Sequence, residues 1–212
     1  MKQSATTTDR RADVLAAAIR VLAREGIAAA TTRNIAAEAG INQATMLYYA
    51  GSKDELLLNV LREMMRLTRD VVLATDPVGG DPREGIRRSL TAFWLHVESA
   101  PELQVMQYEL TLYALRRPAS AWLAREQYAG YAAVVEDLLR AAYAAADAAC
   151  ALPFATLARF IVGGLDGMIL QFVSDRDTTR ARRELEALIA AVVALATGAA
   201  PVEGERREGD AS

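Results

Sequence analysis

The sequence predicts an all-α protein with about nine helices, in which a small N-terminal helix-turn-helix unit precedes a larger helical body. Three observations support this fold class. Alanine is abundant, and only six prolines and thirteen glycines interrupt the 212 residues. Apolar residues recur three and four positions apart, and alternating β-branched runs are absent, which favours helices over strands. The third observation is the residue pattern of positions 31–53.

Positions 31–53 have the packing pattern of two short helices joined by a tight turn. Thr31 or Thr32 can cap the first helix and Asn42 the second, because their side-chain oxygens accept from free backbone N–H groups. Gly40 stands at the bend, where a residue with a Cβ would be strained. The apolar positions expected to face each other are Ile35, Ala36, Ala39, Ile41, Met46 and Tyr49. We therefore predict a helix-turn-helix motif over 31–50.

Turn signals and caps divide the chain into five predicted segments. These are a polar, mobile arm (1–8), a helix-turn-helix domain (9–53), a connecting helix and linker (54–80), a helical body (81–198) and a disordered tail (199–212). Thr8 or Asp9 is expected to cap the first helix, and Gly26 to end it. Ser52 and Glu55 form a capping box at the start of the connecting helix.

The charge distribution and the rare residue types narrow the possible functions. Positions 1–53 hold seven basic and four acidic residues, whereas the whole chain has a net charge of −3. A basic head on an acidic body favours local contact with phosphates. Arg10 and Arg11, in the first turn of the first predicted helix, suggest an anionic partner there. Cys150 and His96 are the single cysteine and histidine, which excludes an internal disulfide and a His/Cys zinc site.

The same composition bears on the compartment. Residues 1–8 are polar and no apolar stretch follows them, which argues against a secretory signal. The alanine-rich stretches are interrupted by Arg, Asp and Glu, so we expect no segment that spans a membrane. A single cysteine agrees with a reducing environment. The expected location is the cytoplasm.

The first quarter of the chain resembles the DNA-binding domain of the tetracycline-repressor (TetR) family of bacterial transcription regulators. The resemblance rests on AAxxxLAxxG at 17–26, TTxxIAxxAG at 31–40, INQAT at 41–45 and SKDELL at 52–57. It implies three helices that bind DNA and a helical body that binds a small molecule and forms a homodimer. It also implies a repressor that leaves its operator when the ligand changes the spacing of the two DNA-binding domains.

The chain departs from the family's pattern at two positions. Leu47 stands where many members have a tyrosine that contacts phosphate, and Tyr48 and Tyr49 follow it. Ala50 stands where most members have a bulky Phe or Val. The first departure bears on which side chain contacts the phosphate. The second leaves less apolar mass beneath the connecting helix.

The second helix of the motif is the expected recognition helix, with its N-terminal residues at base edges in the major groove of double-stranded DNA. Gln43 can bond an adenine edge with both amide atoms, Ala44 follows it, and the methyl group of Thr45 can contact a thymine methyl. Tyr48 is favoured over Tyr49 for a backbone contact, because the motif places Tyr49 inward. The phosphate contacts are expected from Thr32, Arg33, Asn42, Tyr48 and Lys53.

The helical body contains many side chains that combine an apolar surface with a polar group, as a ligand pocket requires. Asp166 lies in an otherwise apolar helix, so it faces either a cavity, where it needs a partner, or the outer surface. The residues expected to bind a small molecule are Trp94, Met106, Gln107, Tyr113, Tyr131, Asp166 and Gln171. An ordinary core with tyrosines at its rim would give a similar pattern.

Three glycines inside the eighth predicted helix suggest close helix packing, because each costs about 1 kcal/mol relative to alanine. With the ninth helix they predict a four-helix dimer interface made by two helices from each chain. The residues expected there are Gly163, Gly164, Gly167, Leu185, Leu188, Ile189 and Val192. Close packing within one chain is the alternative.

These patterns predict a dimeric, ligand-released repressor with no catalytic residues, no metal and no cofactor. One alternative is a constitutive DNA-binding regulator whose body is packed solid. The other is a helical-bundle enzyme that uses Asp166 or Glu109, for which the sequence offers no carboxylate pair with a histidine.

Overall fold

The structure is a computed structural model that describes residues 2–74 and 80–199. Within these ranges the chain forms nine α-helices and no strand, as the composition predicts. The helices are α1 (Lys2–Ala29), α2 (Thr32–Glu38), α3 (Gln43–Ala50), α4 (Lys53–Leu73), α5 (Pro82–Ser99), α6 (Pro101–Leu115), α7 (Ala121–Ala145), α8 (Phe154–Asp175) and α9 (Thr178–Thr197). Most of the predicted linker and, apart from Ala199, the predicted tail lie outside the described residues.

Helix α1 is longer than the sequence pattern predicted. It begins at Lys2, so the prediction of a cap at Thr8 or Asp9 is wrong. No proline or glycine interrupts positions 2–8, and a helix fixed by its packed part extends at little cost. Gly26 interrupts α1 with φ 76° and ψ 177°, but helical structure resumes up to Ala29. Arg10 therefore lies inside the helix, away from its dipole end.

The predicted starts of α2, α3 and α4 are confirmed by their capping bonds. The side chains of Thr31 and Asn42 each accept a hydrogen bond from the backbone N–H three residues later, at 3.1 and 2.8 Å. The Ser52 hydroxyl accepts from the Glu55 N–H at 3.1 Å, and the Glu55 carboxylate accepts from the Ser52 N–H at 2.7 Å. Asp81 caps α5, which has a proline in its first turn. These short-range bonds set the entry angles of α2 to α5.

The core of the N-terminal head extends into the body. Met46 of α3 is fully buried in the same apolar cluster as Met106, Leu110 and Ala114 of α6. Helix α4 supplies five buried residues to this cluster, as many as α1 does, and then continues beside α7. The head therefore packs directly on the body through α4 and α6. A second cluster joins α5, α7, α8 and α9.

Polar bonds reinforce the contact between head and body. The backbone N–H of Ile27, directly after the interruption of α1, donates to the Glu109 carboxylate at 2.9 Å. The Tyr113 hydroxyl donates to the carboxylate of Asp54 at the start of α4. The Arg117 guanidinium lies 3.5 Å above the Tyr113 ring and 3.7 Å from Asp54. Helix α6 thus holds both α1 and α4.

Helix α8 is apolar on both faces. By length and composition it could cross a membrane, so the expectation that no stretch qualifies is wrong. Its inner face packs on α7 and α9 and is buried at Leu157, Ile161, Leu165, Met168, Ile169 and Phe172. Its outer face carries Phe160 and Leu170, which are 43% and 50% exposed. The apolar composition of α8 therefore has two sources: one face is buried in the core, and the other is an apolar face that the chain leaves uncovered.

Two helical glycines differ in their surroundings and give a test of this packing. A Cβ on Gly164 would lie 2.7 Å from Leu188 Cδ1, whereas a Cβ on Gly130 would meet nothing within 4 Å. We expect Gly130→Ala to raise the free energy of unfolding by up to about 1 kcal/mol through helix propensity. We expect Gly164→Ala to gain less or to destabilise, because Leu188 must move. Urea denaturation of both variants would check this, and an equal gain would contradict the close packing of α8 on α9.

Candidate functional site

The recognition helix α3 has the orientation that the motif predicted. On its inner side Met46 is fully buried, and Tyr49 packs against the head core. Tyr48 is 77% exposed and contacts the Tyr49 ring edge-on, with the ring centroids 5.1 Å apart. Leu47 is 37% exposed beside it. The outward direction of Tyr48 and the inward direction of Tyr49 are thereby confirmed.

The N-terminal end of α3 presents polar groups to solvent. Gln43 and Ala44 are exposed, and Thr45 is half-buried. The Gln43 amide donates to the Thr32 hydroxyl at 2.7 Å, which connects the starts of α2 and α3. One N–H and the carbonyl oxygen of this amide stay available. Asn42 is exposed but uses its side-chain oxygen as the cap of α3.

The cations of the head fall into two groups. Arg20 and Arg24 both bind Glu38, at 2.7 and 3.2 Å, and their hydrogen bonds hold the pKa of this carboxyl below its usual value. Arg33 and Lys53 have no carboxylate partner among the residues that the structure describes. Arg11, for which the sequence suggested an anionic partner, is also exposed and unpaired within that part of the chain. Among the described residues of the head, these three are the cations without a carboxylate partner, so they are available to phosphates.

Ala50, the second departure from the family pattern, lies at the end of α3. It is half-buried and packs against the head core, where Leu56, Leu57 and Val60 of α4 are buried. Ala50 therefore still belongs to the apolar cluster of the head despite its small side chain.

A cavity of about 100 Å³ lies in the body between α4, α5, α6, α7 and α8. Its lining is mostly aliphatic, with Phe93 and Tyr131 as aromatic members. Polar side chains at the lining are Thr68, Arg69, Ser89, Gln104, Gln107, Tyr131 and Asp166. An apolar cavity with few polar groups is the usual character of a ligand site. Three residues predicted for the ligand, Gln107, Tyr131 and Asp166, line it.

Tyr131 is the centre of a polar network that joins three walls of the cavity. Its hydroxyl donates to the Gln107 side chain at 3.2 Å, and Gln127 donates to it at 3.5 Å. A further hydrogen bond reaches Thr68 on α4. The fully buried Gln127 accepts from the Thr111 hydroxyl at 2.9 Å. Helices α4, α6 and α7 are thus connected by hydrogen bonds beside the cavity.

Asp166 is the one carboxylate of the cavity lining. The Tyr108 hydroxyl donates to its Oδ1 at 3.1 Å, and the Tyr128 hydroxyl also bonds to it. Burial raises the pKa of Asp166 above its usual value, while these two hydrogen bonds oppose the shift. Burial also raises the pKa of Tyr108 and of Tyr128, so both remain neutral donors. The aspartate faces the cavity rather than the outer surface.

Four polar residues of the lining were not predicted from the sequence, namely Thr68, Arg69, Ser89 and Gln104. The Ser89 hydroxyl oxygen is fully buried and has no hydrogen-bond partner among the described residues. Such an orphaned group calls for a partner from outside the fold. Arg69 lies on α4, is exposed and has no carboxylate partner in the described ranges. A serine in an amphipathic helix gives no sequence signal of this kind.

Four residues predicted for the ligand do not line this cavity. Trp94 is buried, donates to Glu98 at 2.9 Å and contacts Phe172 edge-on. Met106 belongs to the head core, and Tyr113 binds Asp54 and Arg117. Gln171 is exposed, and its amide donates to the Gly167 carbonyl at 3.4 Å. Periodicity identifies such residues as amphipathic but does not settle which neighbour they meet.

The residues predicted for a dimer interface divide between the two faces of α8 and α9. Leu185, Ile189 and Val192 are buried in the chain's own core, so they are not available to a second chain. Gly164 and Leu188 contact each other within the chain, which is the alternative considered for the glycines. Gly163 and Gly167 are exposed on the outer face of α8, between Phe160 and Leu170. Ala187, Ala190 and Ala191 are exposed on the neighbouring α9.

Comparison with known families assigns both parts of the chain. The model of bacterial regulatory proteins of the tetR family matches residues 14–60, and that of a tetracyclin repressor-like C-terminal domain matches residues 81–195. The chain belongs to the TetR family. It is therefore a DNA-binding transcriptional regulator with a helix-turn-helix head, as the sequence resemblance implied. The curated relatives of this TetR-family chain are regulators rather than enzymes.

One curated relative of this TetR-family member matches over most of its length. The nicotine-responsive transcriptional repressor HdnoR of Paenarthrobacter nicotinovorans is 32% identical over 177 residues, which is 82% of this chain and 89% of the relative. The transcriptional regulator BetI of Rhizobium meliloti is 32% identical over 93 residues, 44% of this chain and 46% of BetI. Repression is thus the activity of a relative that matches across head and body.

Solved structures agree with this membership of the TetR family. The multidrug binding protein EbrR complexed with ethidium has a TM-score of 0.63 at 29% identity, covering 86% of this chain and 97% of that chain. A TetR-family member from Streptomyces coelicolor has the same TM-score at 31% identity and the same coverage. Both contain the head and the body of the fold.

Proposed function

We propose that the chain is a cytoplasmic homodimeric repressor that binds a palindromic DNA operator and is released by a small molecule in the body cavity. The observation that carries this proposal is the shared core of head and body. Helix α6 contributes Gln104 and Gln107 to the cavity, and Met106 and Leu110 to the core beneath the recognition helix. A ligand that moves α6 would therefore move the head. The similarity to the nicotine-responsive repressor HdnoR supports the same interpretation.

The proposed DNA surface consists of the exposed side of α3 and the caps of α2 and α4. Gln43, Ala44 and Thr45 would meet base edges, since they stand at the end of α3 that enters the groove. Thr32, Asn42 and Tyr48 would contact the sugar-phosphate backbone, with Arg33 and Lys53 as the charged contacts. Arg11 is added to this set because no carboxylate in the described ranges neutralises it.

Two substitutions would separate base recognition from phosphate contact. We expect Gln43→Ala to lose about 1–3 kcal/mol of preference at one position of the half-site, because an adenine partner is removed. We expect Lys53→Ala to weaken binding to all duplexes and to reduce the slope of log K against log salt by about 1. Selection from random duplexes, followed by titration at several salt concentrations, would measure both effects.

The controls for this experiment keep both Gln43 and Lys53 in place. Thr32→Val removes a proposed backbone contact and the hydrogen bond from Gln43 but leaves the glutamine, so it should weaken binding to all duplexes alike rather than change base preference. Arg88→Ala removes an exposed cation of α5, outside the head, and should leave the salt slope unchanged. Equal loss of affinity for every duplex in Gln43→Ala would contradict the assignment of this residue to base recognition.

The proposed partner of the outer face of α8 and α9 is a second copy of the chain. Phe160 and Leu170 project there around two exposed glycines, next to small alanine side chains on α9. Large side chains beside small ones allow two identical faces to interlock about a twofold axis. A twofold dimer would place two recognition helices on one side of the assembly and match a palindrome.

A charge on this face should separate the chains. We expect Phe160→Glu to give a monomer that has lost most operator affinity, because burying an unpaired carboxylate costs several kcal/mol. Leu95→Glu on α5 is the matched control, since Leu95 is 53% exposed outside the face. Light scattering after size-exclusion chromatography would give the mass of each variant. A Phe160→Glu dimer with intact operator binding would place the interface elsewhere.

The cavity supports a ligand-responsive regulator over a constitutive one. A helical body without a cavity would have no space for a ligand, so the cavity favours a regulator that responds to a small molecule. The cavity volume of about 100 Å³ is smaller than the roughly 150 Å³ of a cavity that binds benzene, so even a ligand with one ring would have to displace the walls. One wall is α4, with Thr68 and Val72, and this helix begins at the head. Displacement of α4 and α6 is the proposed route of release.

Filling the cavity tests this route. Ala142 is buried at the lining, and its neighbour Ala141 is exposed on the same helix. We expect Ala142→Phe to keep operator affinity but to abolish binding of compounds that raise the melting temperature of the wild-type protein and release it from DNA. A ligand at 100 times its Kd stabilises by about 2.7 kcal/mol, which a thermal shift detects. Ala141→Phe should respond as the wild type does, and release in Ala142→Phe would contradict the site.

A further inference from the structure

We propose that the cavity binds a small organic cation whose positive charge is held by Asp166. This inference rests on the proposed function and specifies the chemical class of the ligand. Three features support it: the charge balance of the lining, the aromatic and aliphatic walls, and an orphaned hydroxyl group. The sources of such a cation, a protonated amine or a quaternary ammonium compound, share this chemistry.

The charge balance is the strongest of these features. Asp166 is half-buried at the lining and forms no ion pair with any described residue. The hydroxyls of Tyr108 and Tyr128 stabilise the carboxylate by hydrogen bonds but add no positive charge. A carboxylate kept in an apolar site without a cation is costly for the fold. A cationic ligand would supply the missing charge at the position where the protein leaves it unbalanced.

The single cation of the lining does not reverse this preference. Arg69 lies on α4 and is exposed, so water and salt screen its charge. Asp166, by contrast, faces the apolar interior, where an electrostatic attraction is stronger. An anionic ligand would therefore lose more by approaching Asp166 than it would gain at Arg69. The buried charge, rather than the exposed one, sets the selectivity.

The walls suit the non-polar part of an organic cation. Phe93 and Tyr131 offer aromatic surfaces, which attract cations through their π-electrons, and the remaining walls are largely aliphatic. The orphaned Ser89 hydroxyl can accept from an ammonium N–H or bond another polar group of the ligand. The cavity of about 100 Å³ is smaller than the roughly 150 Å³ of a cavity that binds benzene, so an amine with one ring and a short chain would have to displace the walls as it binds. That displacement is the one that the proposed release from DNA requires.

Three soluble probes of similar shape and different charge test the proposal on the full-length protein. They are 2-phenylethylammonium, neutral 2-phenylethanol and anionic 3-phenylpropanoate. We expect the cation to bind at least about tenfold more tightly than the alcohol, and the anion to bind most weakly. Isothermal calorimetry and thermal shift would measure the affinities. A wild-type protein that binds the alcohol as tightly as the cation, or prefers the anion, would overturn the proposal without any variant.

Substitutions identify the residue responsible. Asp166→Asn keeps the shape of the side chain and removes its charge, so the cation should bind no better than the alcohol. The variant should melt no lower than the wild type in the absence of ligand, because a buried unpaired charge is lost. Asp137→Asn, an exposed carboxylate of α7, should keep the wild-type preference. Ser89→Ala should lower the affinity for cation and alcohol alike. A preference retained in Asp166→Asn would overturn the role of Asp166.

The pH dependence gives an independent readout. Protonation neutralises Asp166, and burial raises its pKa, so cation affinity should fall on acidification sooner than an ordinary aspartate would allow. The other ionisable groups around it are Tyr108, Tyr128 and Tyr131, whose pKa values are raised, and the always cationic Arg69. A primary ammonium stays protonated below about pH 8, so the profile reports the protein. An affinity that does not change down to about pH 4 would contradict the proposal.

The outcomes keep the two proposals apart. Operator binding is measured without any probe, so its absence would remove the proposed function whatever the probes do. Operator binding together with equal affinity for cation and alcohol would leave the repressor intact and remove the cation. Operator release by 2-phenylethylammonium in the wild type, but not in Asp166→Asn, is the result expected if both hold.

Discussion

The sharing of one apolar core between the DNA-binding head and helix α6 is the constraint on which the structure depends. Met46 beneath the recognition helix lies in the same cluster as Met106 and Leu110. Close-packed interiors transmit displacement because they leave little free volume to absorb it. The Glu109 bond to the Ile27 N–H adds a directional link at the interruption of α1. The head can therefore change its angle only if α6 or α4 moves with it.

The polar groups around the cavity cost stability, whereas the apolar core shared by head and body provides it. Tyr131, Gln107 and Gln127 hydrogen-bond each other at a place where apolar side chains would pack at lower cost. Such a network has defined donors and acceptors, so a ligand that takes one partner must rearrange the others. Because Tyr131 also reaches Thr68 of α4, that rearrangement extends to a helix that begins at the head.

The head was predictable from sequence because its determinants are local. The caps at Thr31 and Asn42 and the bend at Gly40 each depend on residues a few positions apart, and all three hold in the structure. The ligand and dimer residues were less accessible, because they depend on how whole helices are rotated against each other. Ile189 and Gly163 follow equally helical patterns, yet one faces the core and the other solvent. Periodicity predicts which residues form the apolar stripe of a helix, but it does not predict which neighbouring element packs against that stripe.

Helix α8 has a different structural role on each of its two faces. Its inner residues close the core and place Asp166 at the cavity, whereas its outer residues form an apolar face around Phe160. A dimer that covered the outer face would bury the remaining apolar surface and fix α8 between two packed layers. Asp166 would then stand on the most restrained helix of the body, while α4 and α6 opposite it remain tied to the head. A cation drawn to Asp166 would push against the walls that can move, and the displacement would be directed toward the DNA.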